Sequence, residues 1–160
     1  MAAISVKVND IPNKVLMDKL NTMFAKPIIA RVGWLESQHE PNGVQTGYVA
    51  MIQEYGYVPK NIPPRPFFRP TIEARSNVWQ KIIAYGAQHI MDGNATLTDV
   101  MTHIADQAAG DFRRAIAKVS TPALKPSTLA ARRSRGNSSQ KPLSDTRTMM
   151  QSLTYTVTNK

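Results

Sequence analysis

The chain has 160 residues, 42% of them hydrophobic and only 7% aromatic, which suits one domain with a mainly aliphatic, methionine-filled core. It contains no cysteine, which excludes a disulfide framework, a thiol nucleophile and cysteine-ligated zinc. The net charge of +9 lies wholly in residues 113–160, where ten Lys and Arg face Asp145 alone, while residues 1–112 balance ten cations against ten anions; so one-sided a segment points to an acidic partner such as nucleic acid, a membrane surface or an acidic protein face.

The N-terminal MAAISVKVND has no basic segment followed by an apolar run, and no stretch approaches the roughly 18 apolar residues of a membrane span, so a soluble, cytoplasmically made protein with no membrane partner is expected. ISVKV alternates apolar and polar residues and reads as a short strand. IPNKVLMDKLNTMFAK reads as a helix with Val15, Leu16, Leu20, Met23 and Phe24 on one face, opened by Pro12 and stopped by Pro27. PIIARVGWL is β-branched and reads as a strand. ESQHEPNGVQ is a turn centred on Pro41-Asn42-Gly43. A short helix is expected from Thr46 to Gly56, with Tyr48, Met51, Ile52 and Tyr55 on one side.

NIPPRPFFRP, residues 61–70, follows. Its prolines forbid a helix interior or a central strand. Phe67 and Phe68 are half of the chain's four phenylalanines, and adjacent residues of an extended segment point to opposite sides. One is expected to enter the core and the other, with Arg65 and Arg69, to anchor a subunit or partner interface, because Arg beside aromatics is an interface composition and a stiff loop loses little entropy on docking. After Pro70, TIEARSNVWQKIIAYGAQHIM reads as a helix, with Ile72, Arg75, Trp79, Ile82, Gly86 and His89 three and four apart. A second long helix starts at a Thr96–Asp99 capping pattern and carries an apolar face of Leu97, Val100, Met101, Ile104, Ala108, Phe112, Ala115, Ile116 and Val119. These helices are expected to pack antiparallel or against the sheet.

Residues 120–142 read as a flexible basic loop, with one or two helical turns from Ser127 and with SRGNSSQK exposed until a partner orders it. DTRTMMQS reads as a helical turn capped by Asp145 or Thr146. LTYTVT, with Leu153, Tyr155 and Val157 against three threonines, reads as a half-buried strand. The fold class expected is therefore a single α+β domain over residues 1–160. A small, mostly antiparallel sheet is packed by two long helices, with an extended basic loop before the C-terminal strand.

No catalytic, metal or cofactor site can be assembled. His39, His89 and His103 fall in three different elements, and there is neither a phosphate-binding loop nor a dinucleotide fingerprint. Glu36, Glu40, Glu54 and Glu73 have no visible partner. No enzyme activity and no cofactor are expected. Lys125, Arg132, Arg133, Arg135, Lys141 and Arg147 form the candidate basic surface, suited to a neighbouring subunit or to DNA phosphates. No aromatic residue lies between Phe112 and Tyr155 to stack on bases, so a DNA role would be non-specific.

Two blocks of the sequence resemble the small neck and tail-completion proteins of tailed bacteriophages. MIQEYGYVPKNIPPRPFFRPTIE carries that family's acidic-aromatic-Gly triplet, Glu54-Tyr55-Gly56, followed by its Ile-Pro-x-Arg-Pro-Phe element. KPSTLAARRSRG followed by KPLSDTRTMMQSLTYTV is similar to its second block, although Arg147 stands where the family pattern has Gly. The resemblance covers residues 46–75 and 125–158. It implies a structural virion protein at the head–tail junction, assembled in the host cytoplasm. It implies a homo-oligomeric ring, sixfold with twelvefold as the alternative, between the head-connector and tail-tube proteins, with non-specific contact to DNA in the lumen. The competing expectation is a non-specific DNA-binding accessory protein. On the ring reading, removing Arg132 to Gln140 is expected to leave the fold intact and prevent head–tail joining.

Overall fold

Two strands far apart in sequence frame the computed structural model, which describes Asp18, Asn21, Thr22 and residues 25–159. β1 (Ile28–Gly33) pairs antiparallel with β2 (Thr154–Asn159), with Ile28 opposite Asn159 and Val32 opposite Tyr155. Among the described residues these two strands are the whole sheet. The expected N-terminal strand and the helix after it lie, but for Asp18, Asn21, Thr22, Ala25 and Lys26, outside the described residues.

Between the strands run α1 (Thr46–Tyr55), a 3-10 turn (Val58–Lys60), α2 (Phe68–Met91), α3 (Leu97–Lys118), α4 (Pro126–Ser134) and α5 (Thr148–Gln151). This is the expected α+β arrangement. α2 and α3 are antiparallel neighbours joined by a short turn, and α3 lies across both strands. The capping box expected at the start of α3 is present. Thr96 Oγ1 accepts from the Asp99 N–H at 3.2 Å, and Asp99 Oδ2 accepts from the Thr96 N–H at 2.9 Å.

The core lies between α3, the sheet and the loop before α2. Ala50, Phe67, Ile116 and Met149 form one buried cluster, and Ala108, Ala109, Phe112 and Leu153 form a second. Trp34 and Phe68 pack against both. Trp34 Nε1 donates to the Met149 carbonyl at 2.7 Å, which ties the end of β1 to α5. The α3 face is richer in alanine than the apolar pattern predicted. Ala105 and Ala109 are fully buried, and the small side chain of Ala109 lets helix and sheet approach closely beside Leu153.

Three local expectations change. α1 has the expected length, but Tyr48, Met51 and Tyr55 face outward and Thr46, Ala50 and Glu54 face inward. α2 begins at Phe68, before Pro70, so Phe68 and Arg69 belong to its first turn. Ile72 is exposed and Thr71 takes the inward position, its Oγ1 donating to the Phe67 carbonyl at 2.6 Å.

Candidate partner-binding cleft

Glu54, from α1, fixes the proline-rich stretch. Its buried carboxylate accepts from the N–H groups of Phe67 and Phe68 at 2.8 Å each, from the Arg69 N–H at 3.1 Å and from Arg69 Nε at 3.0 Å. The first N–H groups of a helix have no partner within it and form the positive end of its dipole, so a carboxylate is well placed there. Burial alone would raise the Glu54 carboxyl; the Phe68, Phe67 and Arg69 donors outweigh it and hold it below its ordinary value. Gly56 makes the return possible. Its φ is +80°, and a Cβ there would stand 2.9 Å from Pro64 N and 3.0 Å from the Ile62 carbonyl oxygen. Glu54-Tyr55-Gly56 and the Pro-Arg-Pro-Phe element are thus one device: an acid that caps the next helix and a glycine that lets the chain reach it.

Arg65 joins this device to the segment that leads into the second sequence block. Only 6% exposed, it donates from Nε to the Pro122 carbonyl at 2.9 Å, from Nη2 to the Ala123 carbonyl at 3.4 Å and from Nη1 to Gln53 Oε1 at 3.3 Å. Lys125 adds a bond from Nζ to the Asn61 carbonyl at 3.2 Å.

The basic segment is organised around a second buried guanidinium. Arg132, on α4 and 4% exposed, donates from Nη1 to the carbonyls of Ser139 and Lys141 at 3.2 and 2.7 Å. Asp145 stands beside it, with Oδ1 3.5 Å from Arg132 Nε. The same carboxylate accepts from Arg135 Nη2 at 2.9 Å and from Asn137 Nδ2 at 3.0 Å. Arg147 adopts φ +62°, the left-handed region that favours glycine.

These elements enclose a cleft of about 610 Å³, walled by the turn after β1, α1, the Lys60–Arg65 stretch, one side of α4 and the segment leading to α5. Five cationic side chains line it (Lys60, Arg65, Lys125, Arg132 and Arg135), against Glu40 and Asp145. Its walls also carry Val49, Ile62, Leu143 and Met149. The site can therefore hold an anionic group flanked by apolar surface.

The predicted site residues divide accordingly. Arg65 and Phe67, expected as interface anchors, are inside the chain, and Phe67 is 2% exposed. Phe68 is not the outward member of the pair. It stacks on Phe112 with ring centres 4.0 Å apart and planes at 3°. Both rings turn inward because α2 has already begun at Phe68, so the rule for extended neighbours does not apply. Arg69 is the residue of the four that faces out, its guanidinium 4.6 Å above the exposed Tyr55 ring. In the basic segment Arg132 is buried and Arg135 is paired with Asp145, whereas Lys125, Arg133, Lys141 and Arg147 are exposed. SRGNSSQK is folded back onto Arg132 and Asp145, so deleting Arg132 to Gln140 removes the side chain around which the segment is built. The expected result becomes local unfolding, not a folded subunit defective in joining.

Sequence reasoning missed three anionic centres. Glu54, read as lacking a partner, has four donors. Asp145, read as a helix cap, pairs with two arginines instead. Asp111, buried on α3, accepts from Trp79 Nε1 at 2.8 Å, pairs with Arg75 at 3.1 Å and also with Arg114. Burial would raise its carboxyl, but Trp79, Arg114, Arg75 and Gln107 together lower it to about 2. The signal for Glu54 was its place just before a glycine and a proline-rich return. Nothing comparable marked Asp111. Among the described residues no three His, Cys, Asp or Glu side chains group as a metal site. No family model, curated protein or solved structure matches the chain.

Proposed function

We propose that the chain is a structural subunit of a tailed-bacteriophage head–tail junction, a neck or tail-completion protein that assembles into a ring between head connector and tail tube. The observation that supports this reading is the meeting of the two sequence blocks that resemble that family. Separated in sequence by most of the two long helices, they are joined by Lys125 on the Asn61 carbonyl and by the buried cluster that Ala50 and Phe67 form with Met149. Their residues serve one module, as a pattern carried jointly by both blocks requires. A subunit of this kind needs docking surfaces and no reaction centre. The lined cleft and the exposed Arg69–Tyr55 pair supply such surfaces.

Negative-stain imaging of the purified protein, with mass measurement in solution, tests the reading. Closed rings of six or twelve subunits are expected. A monodisperse monomer at every concentration would overturn it. Non-specific DNA binding is less well supported, because Arg132 is buried and Arg135 is neutralised by Asp145. Strong, salt-sensitive binding of duplex DNA by the monomer would favour that alternative.

A further inference from the structure

We propose that the cationic cleft is the receiving half of a head-to-tail contact between copies of this chain, and that the inserted half is the acidic turn between α2 and α3, led by Asp92. The inference rests on the ring reading and supplies its subunit contact.

The first observation is an uncompensated charge. Among the described residues the hydrogen-bond partners of the buried Arg65 guanidinium are two carbonyls and one amide oxygen, all neutral. Arg132 is its neighbour. Burial and, after it, the Arg132 charge pull the Arg65 guanidinium below its ordinary value. Arg132 Nε is buried and donates no hydrogen bond, and the carboxylate nearest in role, Asp145, is shared with Arg135. A buried cation with only neutral partners is costly, and an anion entering the cleft relieves that cost. Lys60 and Lys125, both exposed, stand at its rim. The apolar residues between the cations suit a protein segment better than a phosphodiester backbone, which offers no apolar contact at that spacing.

The second observation is where the complementary charge lies. Residues 82–112 contain no Lys or Arg and four Asp. Asp111 is engaged internally, whereas Asp92, Asp99 and Asp106 are exposed. α2 spans 24 residues, about 36 Å at 1.5 Å per residue. The cleft adjoins the N-terminal end of α2 through Arg65, and the Asp92-Gly93-Asn94 turn follows its C-terminal end. The molecule thus carries opposite charges at opposite ends of its longest helix. Stacking such ends gives a heterologous contact, which forms a ring when its rotation closes.

The test is a charge swap on the full chain. Lys60→Glu with Lys125→Glu makes the cleft rim acidic, and Asp92→Lys makes the turn basic. All three positions are exposed, so losing the Lys125–Asn61 and Gln88–Asp92 hydrogen bonds should lower the urea midpoint only slightly. Each variant alone is expected to weaken self-association about tenfold or more in sedimentation velocity, because like charges then meet. An equimolar mixture is expected to restore assembly, because each variant's turn then meets the other's cleft. Variants that assemble like the wild type, or a mixture that restores nothing, overturn this contact and leave a wild-type ring standing. A wild type that stays monomeric overturns both the contact and the ring.

Discussion

Glu54 does from a neighbouring helix what an N-cap side chain ordinarily does from the next residue, and it serves three N–H groups at once. Replacing it with alanine orphans these donors in a buried place. Glu54→Ala should cost on the order of 2–4 kcal/mol, measured by urea denaturation, and Glu54→Gln, which keeps one acceptor oxygen, distinctly less. Arg147 is the opposite case, a residue held against its preference at φ +62°. Arg147→Gly should raise the denaturation midpoint, worth about 1 kcal/mol, since glycine enters the left-handed region without the steric cost. Asp111 sets the acid limit. Its carboxyl is lowered from 3.8 to about 2, so the folded state holds the ionised form more strongly than the unfolded state does. That stabilisation is complete above pH 4 to 5 and is lost as pH falls through the unfolded value toward 2. Stability should therefore fall between pH 4 and pH 2 in the wild type, by roughly 2 kcal/mol from this group. In Asp111→Asn the same interval should be flatter.

Elements with strong local signals were legible before their packing was. The Thr96–Asp99 box, the period of α3 and the alternation of β2 each depend on near neighbours, and each formed where the pattern placed it. The inward face of α1 was not legible. Its apolar residues mark one side as core-facing, yet Ala50 and Glu54 turn inward because the start of α2 needs the carboxylate. A tertiary demand on one residue rotated the whole helix. The buried arginines were hidden for a related reason. Arg65 and Arg132 read as surface charge until the carbonyls that accept their hydrogen bonds are brought in from residues 57 and 7–9 positions away. The α2–α3 contact gives an element-scale prediction. A methyl group on Gly86 would overlap the Val100 side chain. Gly86→Ala should force the helices apart and cost about 1–3 kcal/mol, visible as a lower thermal midpoint.

For the molecule as a whole, the separation of charge matters more than its sum. Residues 82–112 are acidic and residues 113–160 carry the entire excess of cations, so assembly through these ends should depend on ionic strength. Raising salt from 0.1 M to 1 M shortens the screening length from about 10 Å to about 3 Å. Any ring held by rim charges should loosen over that range in sedimentation velocity.

The pairing of β1 with β2 has a further consequence, in time instead of space. Arg31 bonds to Thr158 across 127 positions of chain. α3 meets its platform only when the second strand has arrived, and contacts this distant in sequence form slowly because a long loop must close first. During synthesis the helices emerge before the strand that completes the sheet. The inner faces of Phe112 and Ala109, which cover Leu153 in the finished molecule, lack that partner until residue 153 has been made. The growing chain therefore presents its stickiest surface at the moment when identical neighbours on the same messenger are closest, and a chaperone would act in that interval.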